Sequence, residues 1–264
     1  MPAFRGSLER ASESDGVSSM TAFGALAIVD RLDLQPGPEM FERLTIREKC
    51  CLQTIGSRAR RESWLTGRMA AKYLILKSSL QDGREPSSRA SDIDAMVRLC
   101  KDRLNAFCVQ DYASIEILPS LTRIGSAPSL RVASMQCADL RLCLTHCGSI
   151  SAALVYSGGP AGIDVEAAEP RHDAFYRQQF TQAETDWVDA QAQATGVERS
   201  WFFTLLWATK ESVIKARPGV GTAIWCLTDL EIRFRTPAVD WAALHGQTAF
   251  GSVFQHCIAD IRDN

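Results

Sequence analysis

Two stretches of the chain carry residue types that could hold a cation against phosphate. The first is Gly162-Ile163-Asp164-Val165-Glu166. In an extended backbone Asp164 and Glu166 project to one side, and Ile163 and Val165 to the other. Paired carboxylates over an apolar underside suit a strand packed on a core that offers oxygen ligands to a hard cation. The same pattern also describes a half-exposed strand with two solvated acids. The second stretch is Trp207-Ala208-Thr209-Lys210-Glu211-Ser212-Val213-Ile214-Lys215, inside a run of helical spacing. Residues three and four apart share a helix face, which aligns Trp207, Glu211 and Lys215, with Lys210 flanking Trp207. Phe202, Leu206 and Val213 form the core-facing stripe. Glu211 is then either half of a surface Glu–Lys pair or the third carboxylate of a site for metal and phosphate. Such a site suits Mg²⁺, which keeps few protein ligands and fills the rest with water and phosphate oxygens. Lys210 and Lys215 would neutralise the phosphates.

In this order and at this distance, the two stretches resemble the 4′-phosphopantetheinyl transferases, of the two-lobed kind that activates peptide synthetases and other carrier proteins. The family's Gly-Ile/Val-Asp-x-Glu strand and Trp-x-x-Lys-Glu-Ser-x-x-Lys helix are both present without a gap. The resemblance implies Asp164, Glu166 and Glu211 as ligands of Mg²⁺, with Mn²⁺ as a substitute, and Lys210 and Lys215 as groups that stabilise charge on coenzyme A. It implies further coenzyme contacts from the basic front of the helix that begins at Ser57, namely Arg60, Arg61 and Arg68, since arginine forks suit phosphate oxygens. Thr145-His146 stands where the family has a Ser-His pair. Phe180-Thr181-Gln182-Ala183-Glu184 resembles the segment whose glutamate has been proposed as general base. Gly125-Ser126-Ala127-Pro128 resembles a Gly-x-Pro turn, with Ser126 where a lysine often stands and Arg123 as a substitute.

The implied reaction moves the phosphopantetheine arm of coenzyme A onto a serine of an apo carrier protein and releases 3′,5′-ADP. The implied fold is α+β: two similar lobes in a pseudo-twofold arrangement, each a small antiparallel sheet packed with helices, residues 21–139 and 140–264, after a loose tail at 1–20. The two-lobed form is expected to be a monomer. Two readings compete: an inactive module that binds carriers or coenzyme A, and another magnesium-dependent phosphohydrolase. Intact carboxylates and lysines weigh against the first.

Composition fits a globular protein, 46% hydrophobic and 23% charged. A net charge of −2 gives no global pull towards nucleic acid or anionic membrane. No apolar run is long enough to span a bilayer. Nine cysteines, an odd number in a chain long enough to bury a core, argue for reduced thiols and a cytoplasmic setting. Cys143, His146 and Cys147 lack standard zinc spacing and a second ligand pair, so buried inert thiols are expected there.

The elements that must position these groups follow from periodicity. Ala22–Asp33 reads as a strand or hairpin arm. Glu39–Thr54, Ser57–Leu74, Asp92–Phe107, Arg171–Thr195 and Ser200–Ala216 read as helices, the last stopped by Pro218-Gly219. Ser79–Ser91 reads as a loop. Ser114–Leu118, Leu140–Thr145, Ser149–Tyr156, Gly162–Glu166, Leu227–Phe234 and Thr248–Ile258 read as strands. Trp64-Leu65-Thr66-Gly67-Arg68 faintly echoes Trp207-Ala208-Thr209-Lys210-Glu211.

Overall fold

The computed structural model describes residues 24–34, 37–81, 96–99, 101–119, 128–132, 135–136, 140–156, 161–216, 227–234 and 259–263. The tail at 1–20, the turn at 125–127, the helix stop at 218–219 and the strand expected at 248–258 lie outside them, as does most of the 79–91 loop.

The apolar start of the chain forms β1 (Gly24–Asp30). It pairs antiparallel with β7 (Ile150–Tyr156), from Gly24 opposite Tyr156 to Asp30 opposite Ile150. On its other side it pairs parallel with β2 (Met96–Leu99). β6 (Arg141–Cys147) joins β7 through a hairpin whose tip needs Gly148 at φ 56°. The order is β2-β1-β7-β6, so strands from both sides of residue 140 share one mixed sheet. The parallel pairing follows from the long crossover that separates β1 from β2: α1 (Arg31–Leu34), α2 (Pro38–Glu42), α3 (Ile46–Gln53) and α4 (Arg58–Gln81).

The helix expected over Asp92–Phe107 is not formed. Its apolar start is β2, and among the described residues of that range only Lys101–Leu104 is helical, as α5. A short apolar run is ambiguous in period, and the free edge of β1 decides the matter. After α6 (Val109–Ala113), β3 (Ile115–Leu118), β4 (Ser129–Val132) and β5 (Met135–Gln136) form an antiparallel sheet. The chain then continues through β6 and β7 to α7 (Asp173–Gln179), α8 (Gln182–Thr195) and α9 (Arg199–Ala216), followed by the antiparallel pair β8 (Leu230–Phe234) and β9 (Ala259–Asp263).

Alternation along the strands assigns the two faces of the mixed sheet. Ala27, Val29, Leu142, Ala153 and Val155 pack with Leu65, Met69 and Leu74 of α4. Leu26, Cys143, Ala152, Leu154 and Tyr156 look the other way and pack with Ile163 and Val165. A separate core joins α7, α8, α9 and β8 through Phe180, Val188, Phe202, Phe203, Leu206 and Ile232.

Two expected helices are each cut in two. Thr45 interrupts Glu39–Thr54, and Thr181 interrupts Arg171–Thr195. Each threonine is an N-cap in a full capping box, with Glu48 and Glu184 at the third helical position. Each glutamate then does a second job. Glu48 accepts from Lys72 Nζ at 2.6 Å and from Ile117 N at 3.0 Å, while the ammonium also donates to the carbonyls of Arg43 and Tyr112, both at 3.0 Å. Glu184 accepts from Lys210 Nζ at 2.7 Å and from Ile232 N at 2.9 Å, while that ammonium donates to the carbonyls of Gln179 at 2.9 Å and Leu227 at 2.8 Å. In both cases the acceptor carbonyls stand two residues before the cap and five before the bonded strand amide. The same device is therefore built twice, and it equates Lys72 with Lys210 rather than Trp64 with Trp207.

Candidate active site

Residues 161–172 adopt no regular secondary structure, so the strand expected over Gly162–Glu166 is corrected to an extended segment. Its alternation survives because it lies across the face of β6 and is held there by side chains. Cys143 Sγ lies 3.4 Å from Ile163 N and 3.6 Å from Ile163 O. Thr145 Oγ1 accepts from Val165 N at 3.3 Å.

Gly162 places this segment against the last turn of α9. A Cβ there would meet Ser212 O at 2.1 Å and Ala216 N at 2.8 Å. Both obstacles are backbone, so neither can swing aside. Gly162→Ala is expected to cost about 1–3 kcal/mol through overpacking and to lift the acidic segment off the helix. Urea unfolding together with a transfer assay checks this.

From the other side, α9 presents Trp207, Glu211 and Lys215 as its spacing predicts. Trp207 Nε1 donates to Glu166 Oε1 at 3.2 Å, its ring steadied by Phe175 with centroids 4.8 Å apart. Lys215 Nζ donates to Asp164 Oδ1 at 2.5 Å, and Thr145 Oγ1 donates to the same oxygen at 2.7 Å. Arg171 approaches Glu166 Oε2 at 3.7 Å. Asp164 is buried, 4% exposed, and its Oδ2 has no hydrogen-bond partner among the described residues. Burial pushes the Glu211 carboxyl up from the ordinary range; Lys215 opposes this, and Asp164 and Glu166 reinforce it. Glu211 thus feels both other acids, although they come from a stretch some forty residues away.

All-oxygen donors, mutual repulsion and a buried carboxylate oxygen in need of a partner fit a hard divalent cation. Among the described residues no three His, Cys, Asp or Glu side chains already form a metal-holding group; Lys215, Trp207 and Arg171 meet the charge instead. The raised carboxyl has a stability consequence. A Glu that holds its proton more tightly in the folded state than in the unfolded one loses native stability as pH rises through its folded value. Glu211→Gln removes that loss. In chelator at neutral pH, the variant is expected to melt above the unaltered protein, and the difference is expected to vanish in acid; melting curves across pH test it.

A cleft of about 640 Å³ adjoins this site, lined by Arg60, Ser63, Trp64, Arg68, Thr145 and His146 among others. It gathers four of the residues expected to contact coenzyme A. Thr145 belongs to both places. Arg60 and His146 are exposed and free to turn towards a ligand. Arg68 is buried. It donates to Ile117 O at 3.0 Å and lies over the Trp64 ring at 3.3 Å; burial pushes it down to about 9, still a cation at neutral pH. Arg61 does not line this cleft. It faces a second one with Phe41, Lys49, Leu52 and Arg58.

Lys210 and Glu184 are not brought to the acids. They are 0% and 2% exposed and engaged with each other in the second capping device. Phe180 also covers the ammonium, 5.1 Å from its ring centroid. A general base needs a reachable oxygen, and those of Glu184 are enclosed. The zinc pattern does not converge either: Cys143 and Cys147 face the acidic segment, whereas His146 points to the opposite side of β6. Trp64, which lines the cleft, and Cys143, which touches the acidic segment, were not expected there; the signal for Trp64 was its place on one helix face with Arg60 and Arg68.

Among the described residues, no helix is long and apolar enough to cross a membrane. No curated protein matches the chain. Residues 160–257, which include Asp164, Glu166 and all of α9, match the family model of the 4′-phosphopantetheinyl transferase superfamily.

Proposed function

We propose that the protein transfers the 4′-phosphopantetheine arm of coenzyme A to a serine of an apo acyl or peptidyl carrier protein, with Mg²⁺ held by Asp164, Glu166 and Glu211. One observation supports this reading: Glu211 of α9 is coupled electrostatically to Asp164 and Glu166, and the buried Asp164 Oδ2, with no hydrogen-bond partner among the described residues, lies beside a basic cleft that shares Thr145. In the reaction the carrier's serine oxygen bonds to the phosphorus that bears pantetheine, and the bond to 3′,5′-ADP breaks. The chain therefore needs no nucleophile of its own. A divalent cation in this place would polarise the diphosphate.

The remaining groups bind and orient. Arg60, His146 and the Arg68–Trp64 stack line the cleft for the nucleotide end, and Lys215 sets a positive charge where the diphosphate's charge grows. Lys210 and Glu184 hold α8, α9 and β8 together instead of touching substrate. Incubation with coenzyme A, Mg²⁺ and a panel of apo carriers, read by intact mass, tests the proposal. A carrier that gains the phosphopantetheine arm supports it. Coenzyme A binding with no transfer to any carrier indicates an inactive binding module, and breakdown of coenzyme A without a carrier indicates a phosphohydrolase.

A further inference from the structure

Three alternate residues of β6 are bonded to the acidic segment. The offset is constant: Cys143 with Ile163, Thr145 with Val165, and the Cys147 thiol with the backbone of Ala167. A neighbouring strand would ordinarily satisfy such backbone groups with its own amides and carbonyls. Here the side chains of one strand face do so. The Cys143 thiol approaches both polar groups of Ile163, the residue just before Asp164, and is itself buried, 6% exposed. Burial pushes that thiol up, so it stays protonated and able to donate to Ile163 O. Thr145 fixes the next step: it bonds Val165 N and donates to Asp164 Oδ1, which leaves Oδ2 as the oxygen with no hydrogen-bond partner among the described residues.

We propose that Cys143 is a positioning residue for the acidic site, acting with Thr145 to clamp the backbone on both sides of Asp164 so that its second carboxylate oxygen faces the metal position. This rests on the metal role given to Asp164 above. Cys143 is not among the residues that line the cleft, so its effect falls on the cation and not on coenzyme A. Partners that orient metal ligands without touching the metal change affinity by about 10–100-fold when removed.

The test is a Mn²⁺ titration of the full chain without coenzyme A, followed by electron paramagnetic resonance, with KM for coenzyme A measured alongside. Cys143→Ala is expected to weaken Mn²⁺ binding by at least about tenfold with KM for coenzyme A unchanged at saturating metal, and Cys143→Ser, which keeps a donor and an acceptor, to restore most of it. Thr145→Val is expected to weaken Mn²⁺ binding similarly, with Thr145→Ser as its rescue. Equal Mn²⁺ affinity in Cys143→Ala and the unaltered protein overturns the inference and leaves the proposed function standing. If Cys143→Ala does not fold, equal affinity in Thr145→Val overturns it instead. Failure of the unaltered protein to bind Mn²⁺ or to modify any carrier overturns the proposed function, and this inference with it.

Discussion

Asp164→Ala is expected to lower carrier modification by about 10³-fold, the scale seen when one well-placed electrostatic group is removed from a reacting centre. The fold is expected to survive. Lys215, which loses its partner, is 29% exposed and can take up water in exchange, and the change also removes a buried oxygen that has no partner among the described residues. Activity and stability should therefore separate: intact-mass assays show unmodified carrier while the urea midpoint stays close to that of the unaltered protein. Near-normal transfer by Asp164→Ala would remove the acidic segment from the chemistry.

Lys210→Met is expected to do the reverse. It strands Glu184 as an uncompensated buried charge, a loss of about 3–5 kcal/mol. Lys72→Met should cost a similar amount by stranding Glu48, although Lys72 lies in the device remote from the acids. Burial pulls the Lys72 ammonium down, and Glu48 beside it pushes it back up, so the lysine depends on Glu48 to stay charged. Pairing Lys210→Met with Glu184→Gln should recover much of the loss, because the amide still accepts from Ile232 N without carrying a charge. Urea unfolding of the singles and the double measures the coupling. A Lys210→Met protein that unfolds normally yet fails to transfer would instead place this lysine on substrate.

The contrast between these two experiments marks what the sequence could show. Trp207, Glu211 and Lys215 were legible as one face of α9, because helical spacing alone sets it. Lys210 was placed beside that face because it stands three residues from Trp207. Its spacing from Phe203 and Leu206 puts it on the buried stripe, and a lysine is read as solvated unless a partner is known. That partner, Glu184, was hidden in a Thr-x-x-Glu box which a continuous helical reading passes over, as it does at Thr45-Ile46-Arg47-Glu48. Arg60 and Arg61 were equally plausible by type. Adjacent helix positions differ by about 100°, so only the one aligned with Trp64 and Arg68 faces the cleft. The alternation over Gly162–Glu166 was correct in direction, yet it could not distinguish a laddered strand from an extended segment held by another strand's side chains. β2 was lost because its pairing with β1 spans some seventy residues of chain, a relation that no local window contains.

The sheet that straddles residue 140 limits how the stretch matched by the family model can be grafted. A fragment cut to residues 160–257 would carry all three acids and α9. It would leave behind β6 and β7, the seat of Ile163 and Val165, and with them the hydroxyl that turns Asp164. Exchanging that stretch between relatives would transplant the ligands without their mounting, whereas a chimera joined upstream of Arg141 would carry both, provided β1 of the host still zips onto β7.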